Sequence, residues 1–351
     1  MPSKSSDFII IGENIHCTRK VKRGGKRAKT LPDGTEVVVY EQPDGTEAHM
    51  PVPESIQKGQ TFANGMIPHV AAAVELGLSD DATQQSIGRD YLSWLARRQL
   101  DRGAAFLDIN VDEVSTDPQR RNRAVQWIVP VIQAACDKPL SIDSSELATL
   151  EAGLDAYNET RGNGPAMLNS ASLERPAAVE LAARHKCPTI VLASGKADMP
   201  ADADQRMANI QSIVAICRQA GLALSQLYID PLVLPASASP ETPPHVLQTI
   251  GRIREEYGPE VHITGGHSNV SFGLPMRRLL NAVWIALAIE AGVDSGIIDP
   301  ITSHPDDIAR LDRNSQTFKM ARAGFEGKDL YFMAFIEASR AGKLEDPFAA
   351  P

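Results

Sequence analysis

Residues 105–111 read Ala-Phe-Leu-Asp-Ile-Asn-Val, an apolar run closed by a carboxylate and an amide, and residues 140–144, Leu-Ser-Ile-Asp-Ser, follow the same plan. Six further short apolar runs end in polar residues or turns: Phe8–Asn14 (FIIIGEN), Ala166–Ser170 (AMLNS), Thr189–Ser194 (TIVLAS), Leu227–Pro231 (LYIDP), Val261–Gly266 (VHITGG) and Gly296–Pro300 (GIIDP). Near-continuous apolar runs, in place of alternating ones, mark strands covered on both faces, as in a parallel sheet wrapped by helices. Helix-period stretches separate them, among them Asp81–Arg102, Pro118–Cys136, Arg175–His185, Asp202–Ala220, Pro244–Tyr257 and Pro275–Ala291. Eight strand–helix units in succession predict a (β/α)8 barrel. The rival, a doubly wound open sheet, lacks its GxGxxG fingerprint after the first strand.

Two departures from a bare barrel are legible. Between the first strand and the first long helix lie residues 17–80, far more than the usual ~2–6 residue loop, so this span is an insertion. Inside it, Pro32-Asp33-Gly34-Thr35 and Pro43-Asp44-Gly45-Thr46 bracket Glu36–Gln42 (EVVVYEQ), turns around a β-branched run that predict a small β-hairpin. Arg19–Lys29 carries seven Lys or Arg and no acid, which reads either as steering for an acidic tail or partner, or as a solvated mobile loop. The expected domains are the barrel over 1–325, with the insertion at about 17–80, and a C-terminal helical extension over 326–351. Within that extension Leu330–Ala341 is the helical stretch.

Composition narrows the class. The 351 residues are 43% hydrophobic and 23% charged, ordinary for a globular chain. The net charge of −9, from 35 Lys+Arg and 44 Asp+Glu, opposes a general polyanion-binding surface, so nucleic acid is not the expected partner. No apolar run reaches the roughly 18 residues that span a bilayer, and Met1 to Asp7 is polar, so the expectation is a cytoplasmic protein without a membrane segment. Cys17, Cys136, Cys187 and Cys217 form no CxxC and are expected to be buried or incidental thiols.

In a barrel of this type the site gathers at the C-terminal ends of the strands. Here those ends supply Glu13 and Asn14, Asp108 and Asn110, Asp143, Asn169, Asp230, Ser268 and Asn269, and Asp299. Any one could cap the helix that follows it. Together, carboxylates and amides suit a flat heterocycle bearing N–H and C=O groups, such as a pterin, because a carboxylate accepts two parallel N–H bonds and an amide both donates and accepts. No metal-ligand triad is spaced along the chain.

The strings Leu107-Asp108-Ile109-Asn110-Val111, Ser141-Ile142-Asp143-Ser144, Leu168-Asn169-Ser170, Tyr228-Ile229-Asp230-Pro231-Leu232 and Gly266-His267-Ser268-Asn269-Val270-Ser271-Phe272-Gly273-Leu274-Pro275, with Arg277 and Asn281, resemble the pterin-binding methyltransferases. That family includes the methyltetrahydrofolate:corrinoid protein methyltransferases and the folate module of cobalamin-dependent methionine synthase. The resemblance runs in order from Ile9 to about Pro300, outside the insertion. It departs at Gly12-Glu13-Asn14-Ile15-His16, where the family often has GERIN.

The resemblance implies a dihydropteroate-synthase-like (β/α)8 barrel that moves a methyl group between N5 of tetrahydrofolate and a corrinoid cobalt, in either direction. By it, Asp143, Asn169 and Asp230 would hold the amino-pyrimidine edge, Asn269 would lie beside N5 as the catalytic group, and Ser268 and Arg277 would sit in the same loop. Glu13, Asp108 and Asn110 would form the pocket floor. Tetrahydrofolate or 5-methyltetrahydrofolate is then a substrate. The chain has no DxHxxG string, so the cobalamin would ride on a partner corrinoid protein, with the insertion as its docking element or lid. A homodimer is implied as well. Three other readings compete: a dihydropteroate synthase-like enzyme, whose SRK-like string is absent at Ser268-Asn269-Val270; a non-catalytic folate-binding subunit; and a metal-dependent hydrolase drawing on His16, His262, His267 and Asp299.

Overall fold

The computed structural model describes residues 7–349, so the outermost residues of both expected domain spans, 1–6 and 350–351, lie outside the described residues. All eight expected runs are strands: Ile9–His16, Ala104–Asn110, Leu140–Asp143, Met167–Ala171, Thr189–Leu192, Leu227–Asp230, His262–Ile263 and Ser295–Ile298. They make one eight-stranded sheet. Counted along the chain, its order is seventh, sixth, fifth, fourth, third, second, first, eighth. A parallel bridge from Gly266 to Ile297 links the segments of the seventh and eighth strands at its two ends. The fold is a (β/α)8 barrel.

The described residues form two compact units, Gly12–Asn169 and residues 7–11 with 170–349. In the first, the second strand pairs in parallel with the third and the third with the fourth; in the second, the fifth pairs with the sixth and the sixth with the seventh. The strands form where apolar side chains fill both faces: Leu107, Ile109, Leu140, Ile142, Ile190, Val191, Leu227 and Ile229 are all buried. Helices start where a carboxylate satisfies the open backbone N–H groups of the first turn. Asp81 accepts from Thr83 and Gln84 N–H to open Ala82–Leu100, Asp117 caps Pro118–Ala135, and Asp202 caps Ala203–Gln219.

Residues 17–80 are richer than a hairpin. Ala28–Thr30, Glu36–Glu41 and Glu47–Pro51 form a three-stranded antiparallel sheet, because the two Asp-Gly turns flank one central strand and so give it a neighbour on each side. Gly34 and Gly45 take the positive φ those turns require. Lys20–Lys22 pairs with Met66–Pro68, and the span ends in a helix, His69–Gly77, buried at every residue except Glu75. That helix packs closely on Ala82–Leu100: a Cβ on Gly88 would lie 2.5 Å from the Ala73 carbonyl oxygen.

The basic run Arg19–Lys29 is partly built into short strands: four of its seven cations have partners, while Lys20, Lys22 and Lys26 are exposed. Arg19 pairs with Glu13, Arg23 with Glu36 and Lys29 with Glu47, while Arg27 donates to the Tyr91 hydroxyl and stacks on Trp94. Tyr40 of the inserted sheet meets Tyr91 and Trp94 edge-on or tilted, so the sheet lies on helix Ala82–Leu100.

At the other end of the chain, Leu330–Phe332 is a 3-10 turn and Met333–Arg340 an α-helix. Phe332 and Phe335 are buried in an aromatic chain with Trp284 and Phe325, whereas Leu330, Tyr331 and Met333 are exposed. Among the described residues no helix is long and apolar enough to cross a membrane.

Candidate functional site

Strand register places the first group of polar residues. Asn110 is the register partner of Asp143, and Asp143 of Asn169, so the C-terminal ends of three neighbouring strands carry an amide, a carboxylate and an amide side by side. Asp108 lies two residues before Asn110 and shares its face of the strand. Each hydrogen bond in this group fixes an orientation. The Oδ1 of Asn110 accepts the Asp112 N–H at 3.0 Å, so its Nδ2 must be the atom that faces Asp143, donating to Oδ2 at 2.9 Å. Asn169 donates from Nδ2 to Asp108 Oδ1 at 3.1 Å, which leaves its Oδ1 as the outward atom; no described residue donates to it.

Asp108 is 1% exposed and burial pushes its carboxyl up to about 6, against the stabilising hydrogen bond from Asn169. Glu13 is held by Arg19, whose guanidinium pairs with its carboxylate at 2.5 Å and donates to its backbone oxygen. His16 stands 3.6 Å from Asp143 Oδ2 through Nε2. Its Nδ1 accepts the Thr18 N–H at 3.2 Å and lies 2.8 Å from the Thr18 hydroxyl, so Nε2 carries the proton. Burial, followed by the nearby Arg19 charge, lowers its pKa to about 4, so the ring is neutral near pH 7.

In the other unit, Asp230 ends the sixth strand, 7% exposed and raised to about 6 by burial. Backbone N–H groups offset that burial: Leu232 donates to Oδ1 at 2.7 Å, and Gly266 donates as well. Leu232 reaches back only because it adopts φ +69°, a conformation costly for a branched side chain, of order 1 kcal/mol. Buried Arg206 clamps the same turn by donating from Nε to the Pro231 carbonyl at 3.0 Å.

The loop after the seventh strand is a 3-10 turn, His267–Ser271. Gly266 makes room for Asn269, since a Cβ there would lie 2.7 Å from Asn269 Nδ2. The Asn269 side-chain amide bonds to no described residue, and the buried Ser268 hydroxyl has no partner among them. Arg277 braces the loop from below: Nε donates to Ser271 Oγ at 3.1 Å, Nη2 to the Ser268 carbonyl at 3.0 Å, and the guanidinium stacks on Phe272.

The histidines of the hydrolase reading have other work. His267 is fully buried and neutral, accepting from Trp284 Nε1 and facing the Ser295 carbonyl, and burial lowers its pKa to about 4. His262 pairs with Asp294, and Asp299 holds the turn after its own strand by accepting from Ile301 N–H and Thr302 Oγ. Among the described residues no group of three or more His, Cys, Asp or Glu side chains could hold a metal ion. No role is legible in the sequence for Thr18 or Asp112, and Leu232 stands there only as the end of the Tyr228-Ile229-Asp230-Pro231-Leu232 string. Cys17, expected as a buried or incidental thiol, is buried, and it lies against Asn110. Only its place directly after a strand end hinted at that.

Comparison with known proteins gives the class. The family described as "Pterin binding enzyme" matches residues 81–299, and the chain belongs to it. Among its relatives, a methylcorrinoid:tetrahydrofolate methyltransferase of Eubacterium limosum is 27% identical over 286 residues, 80% of this chain and 95% of that protein. The methionine synthase of Mycobacterium tuberculosis is 29% identical over 229 residues, 60% of this chain but 18% of that much longer protein. A dihydropteroate synthase of Xanthomonas albilineans, solved with 7,8-dihydropteroate, superposes with a TM-score of 0.50 at 19% identity over 66% of this chain and 86% of its own, a likeness of fold alone.

Proposed function

We propose that this protein is a methyltransferase that moves a methyl group between N5 of tetrahydrofolate and the cobalt of a corrinoid carried by a separate protein. The observation that carries the reading is the outward face of the registered strand ends. Asp143 and the Oδ1 of Asn169 are acceptors, and internal hydrogen bonds lock both orientations. A ligand held there must present N–H donors along one edge, as the amino-pyrimidine of a reduced folate does. Unpartnered Asn169 Oδ1, the Asn269 amide and the Ser268 hydroxyl are polar groups that such a ligand would satisfy. The length and span of the match to the Eubacterium limosum enzyme support the reaction class.

In this reading Asp143, Asn169 and Asp230 hold the pyrimidine, Asp108, Asn110 and Glu13 support that set from beneath, and Ser268, Asn269 and Arg277 form the loop beside N5. Asn269 suits both forms of the substrate. N5 carries an N–H in tetrahydrofolate and only a lone pair in the methylated form, and one unpaired amide accepts from the first through Oδ1 and donates to the second through Nδ2. The corrinoid supplies the metal to which the methyl is bound before or after transfer. This chain orients the folate nitrogen and hydrogen-bonds it as charge develops. A partner corrinoid protein, a homodimer and a cytoplasmic location belong to the same reading; the exposed Leu330, Tyr331 and Met333 support self-association.

The test is spectroscopic. Purified protein is mixed anaerobically with 5-methyltetrahydrofolate and reduced cobalamin, and conversion of cob(I)alamin to methylcobalamin is followed. Conversion dependent on the protein is expected; the uncatalysed background rate alone would reject the reading, and folate binding without conversion would leave only a folate carrier.

A further inference from the structure

The chain leaves its first strand through His16, Cys17 and Thr18: His16 faces Asp143, Cys17 contacts Asn110, and Thr18 contacts the His16 ring. Cys17 is 1% exposed. Its Sγ accepts the Glu113 N–H at 3.1 Å and donates to Asn110 Oδ1 at 3.4 Å, where the Asp112 N–H also arrives. The thiol can donate only while protonated, and burial keeps it so, pushing its pKa up to about 12. With two donors on its oxygen, the Asn110 amide cannot flip, and its NH2 stays on Asp143 Oδ2. The Nε2–H of His16, whose tautomer Thr18 fixes, faces the same carboxylate oxygen at 3.6 Å, a polar contact longer than a hydrogen bond.

We propose that His16-Cys17-Thr18 is a positioning segment: it holds the Asp143 carboxyl group as an acceptor of set direction and thereby selects ligands that present N–H groups. The inference rests on the folate reading above and deepens it. No residue of the segment needs to touch the reacting atoms. Cys17 acts through Asn110, and His16 acts on the carboxylate itself.

Cys17→Ala removes one of the two donors on Asn110, Cys17→Ser keeps it, and His16→Ala removes the N–H that faces Asp143. Tetrahydrofolate titrations should give a dissociation constant raised roughly fivefold for Cys17→Ala, the worth of one modest hydrogen bond, and roughly threefold for His16→Ala, with Cys17→Ser within about twofold of the parent. The effect should fall on KM and leave kcat nearly unchanged, and it should vanish in an Asp143→Asn background, a coupling that a merely structural role would not produce. If Asp143→Asn alone leaves folate affinity intact, the folate reading fails. If it weakens binding but Cys17→Ala and His16→Ala do not, the positioning inference fails. A ligand-free measurement decides it in either case: the Asn110 side-chain NH2 resonances should exchange slowly with solvent in the parent and in Cys17→Ser, and faster in Cys17→Ala. Equal exchange in all three would overturn the Cys17 arm.

Discussion

Asp143 and Asp230 both end barrel strands, but they are presented in opposite ways. Asp143, with its side chain 23% exposed, is addressed by side chains, Asn110 and His16, from two other strand ends. Asp230 is buried and addressed by backbone N–H groups, one of them delivered by a left-handed leucine. An acceptor held by side chains can be redirected by a single substitution, whereas one held by backbone changes only if its loop does. In the proposed reading both hold the pyrimidine, the first through side chains that can be retuned and the second through a backbone that stays fixed, as does the loop that carries Asn269.

Four experiments break or sharpen that contrast. Asn269→Ala should lower turnover by ~10²-fold or more while folate affinity moves little, since the lost contact is needed most as charge develops on N5; turnover near the parent's would remove Asn269 from the chemistry. Asp143→Asn should do the reverse, weakening folate binding roughly 10- to 100-fold by replacing a charged acceptor, with little change in kcat at saturation. Calorimetric titration with tetrahydrofolate decides it. Gly266→Ala drives a methyl group into the space of Asn269 Nδ2 and should cost turnover roughly tenfold through misplacement, with folate affinity retained. Parallel losses in kcat and affinity would mean the loop has collapsed as a whole.

The smallest expected effect is on stability. The folded-state pKa of Asp230 is raised, to about 6 from an ordinary 3.8, so the folded protein holds that proton more tightly than the unfolded chain. Between those values stability falls as pH rises, and above about 6 the full cost is present; Asp108 behaves alike. Folate binding, which needs the carboxylates ionised, should strengthen over the same window. Melting temperature and affinity should therefore move in opposite directions from pH 4 to 6.5. Asp230→Asn should flatten the stability profile and raise neutral-pH stability by an amount on the order of 1 kcal/mol. An unchanged profile would show that the Asp230 carboxyl titrates as it does in the unfolded chain.

Much of this was readable before any coordinates. Runs such as LDINV and LYIDP are apolar enough to be buried on both faces and end in the polar residues that a barrel exposes at its strand ends, so all eight strands and the side chains Asp108, Asn110, Asp143, Asn169 and Asp230 stood out in order. The helix His69–Gly77 did not, because it was hidden in a long span whose Asp-Gly turns drew attention to the sheet, and a nearly all-buried helix has no polar face to betray its period. The basic run was only partly legible: four of its seven cations find partners in Glu13, Glu36, Glu47 and Tyr91, which are not neighbours in sequence as a block.

Local periodicity and the chemistry of each strand end are properties of the chain itself, because burial on one or both faces is recorded every two or every 3.6 residues. That was enough to define a barrel with a carboxylate and amide rim. Which way an amide faces is not a local property. It depends on whether a donor such as the Asp112 N–H reaches Oδ1, and that donor arrives only when strands from distant parts of the chain are laid in register. Tertiary structure alone decided that Asn110 turns inward to serve Asp143, that Asn169 turns its oxygen outward, and that a cysteine with no motif around it stands behind both Asn110 and the carboxylate it holds.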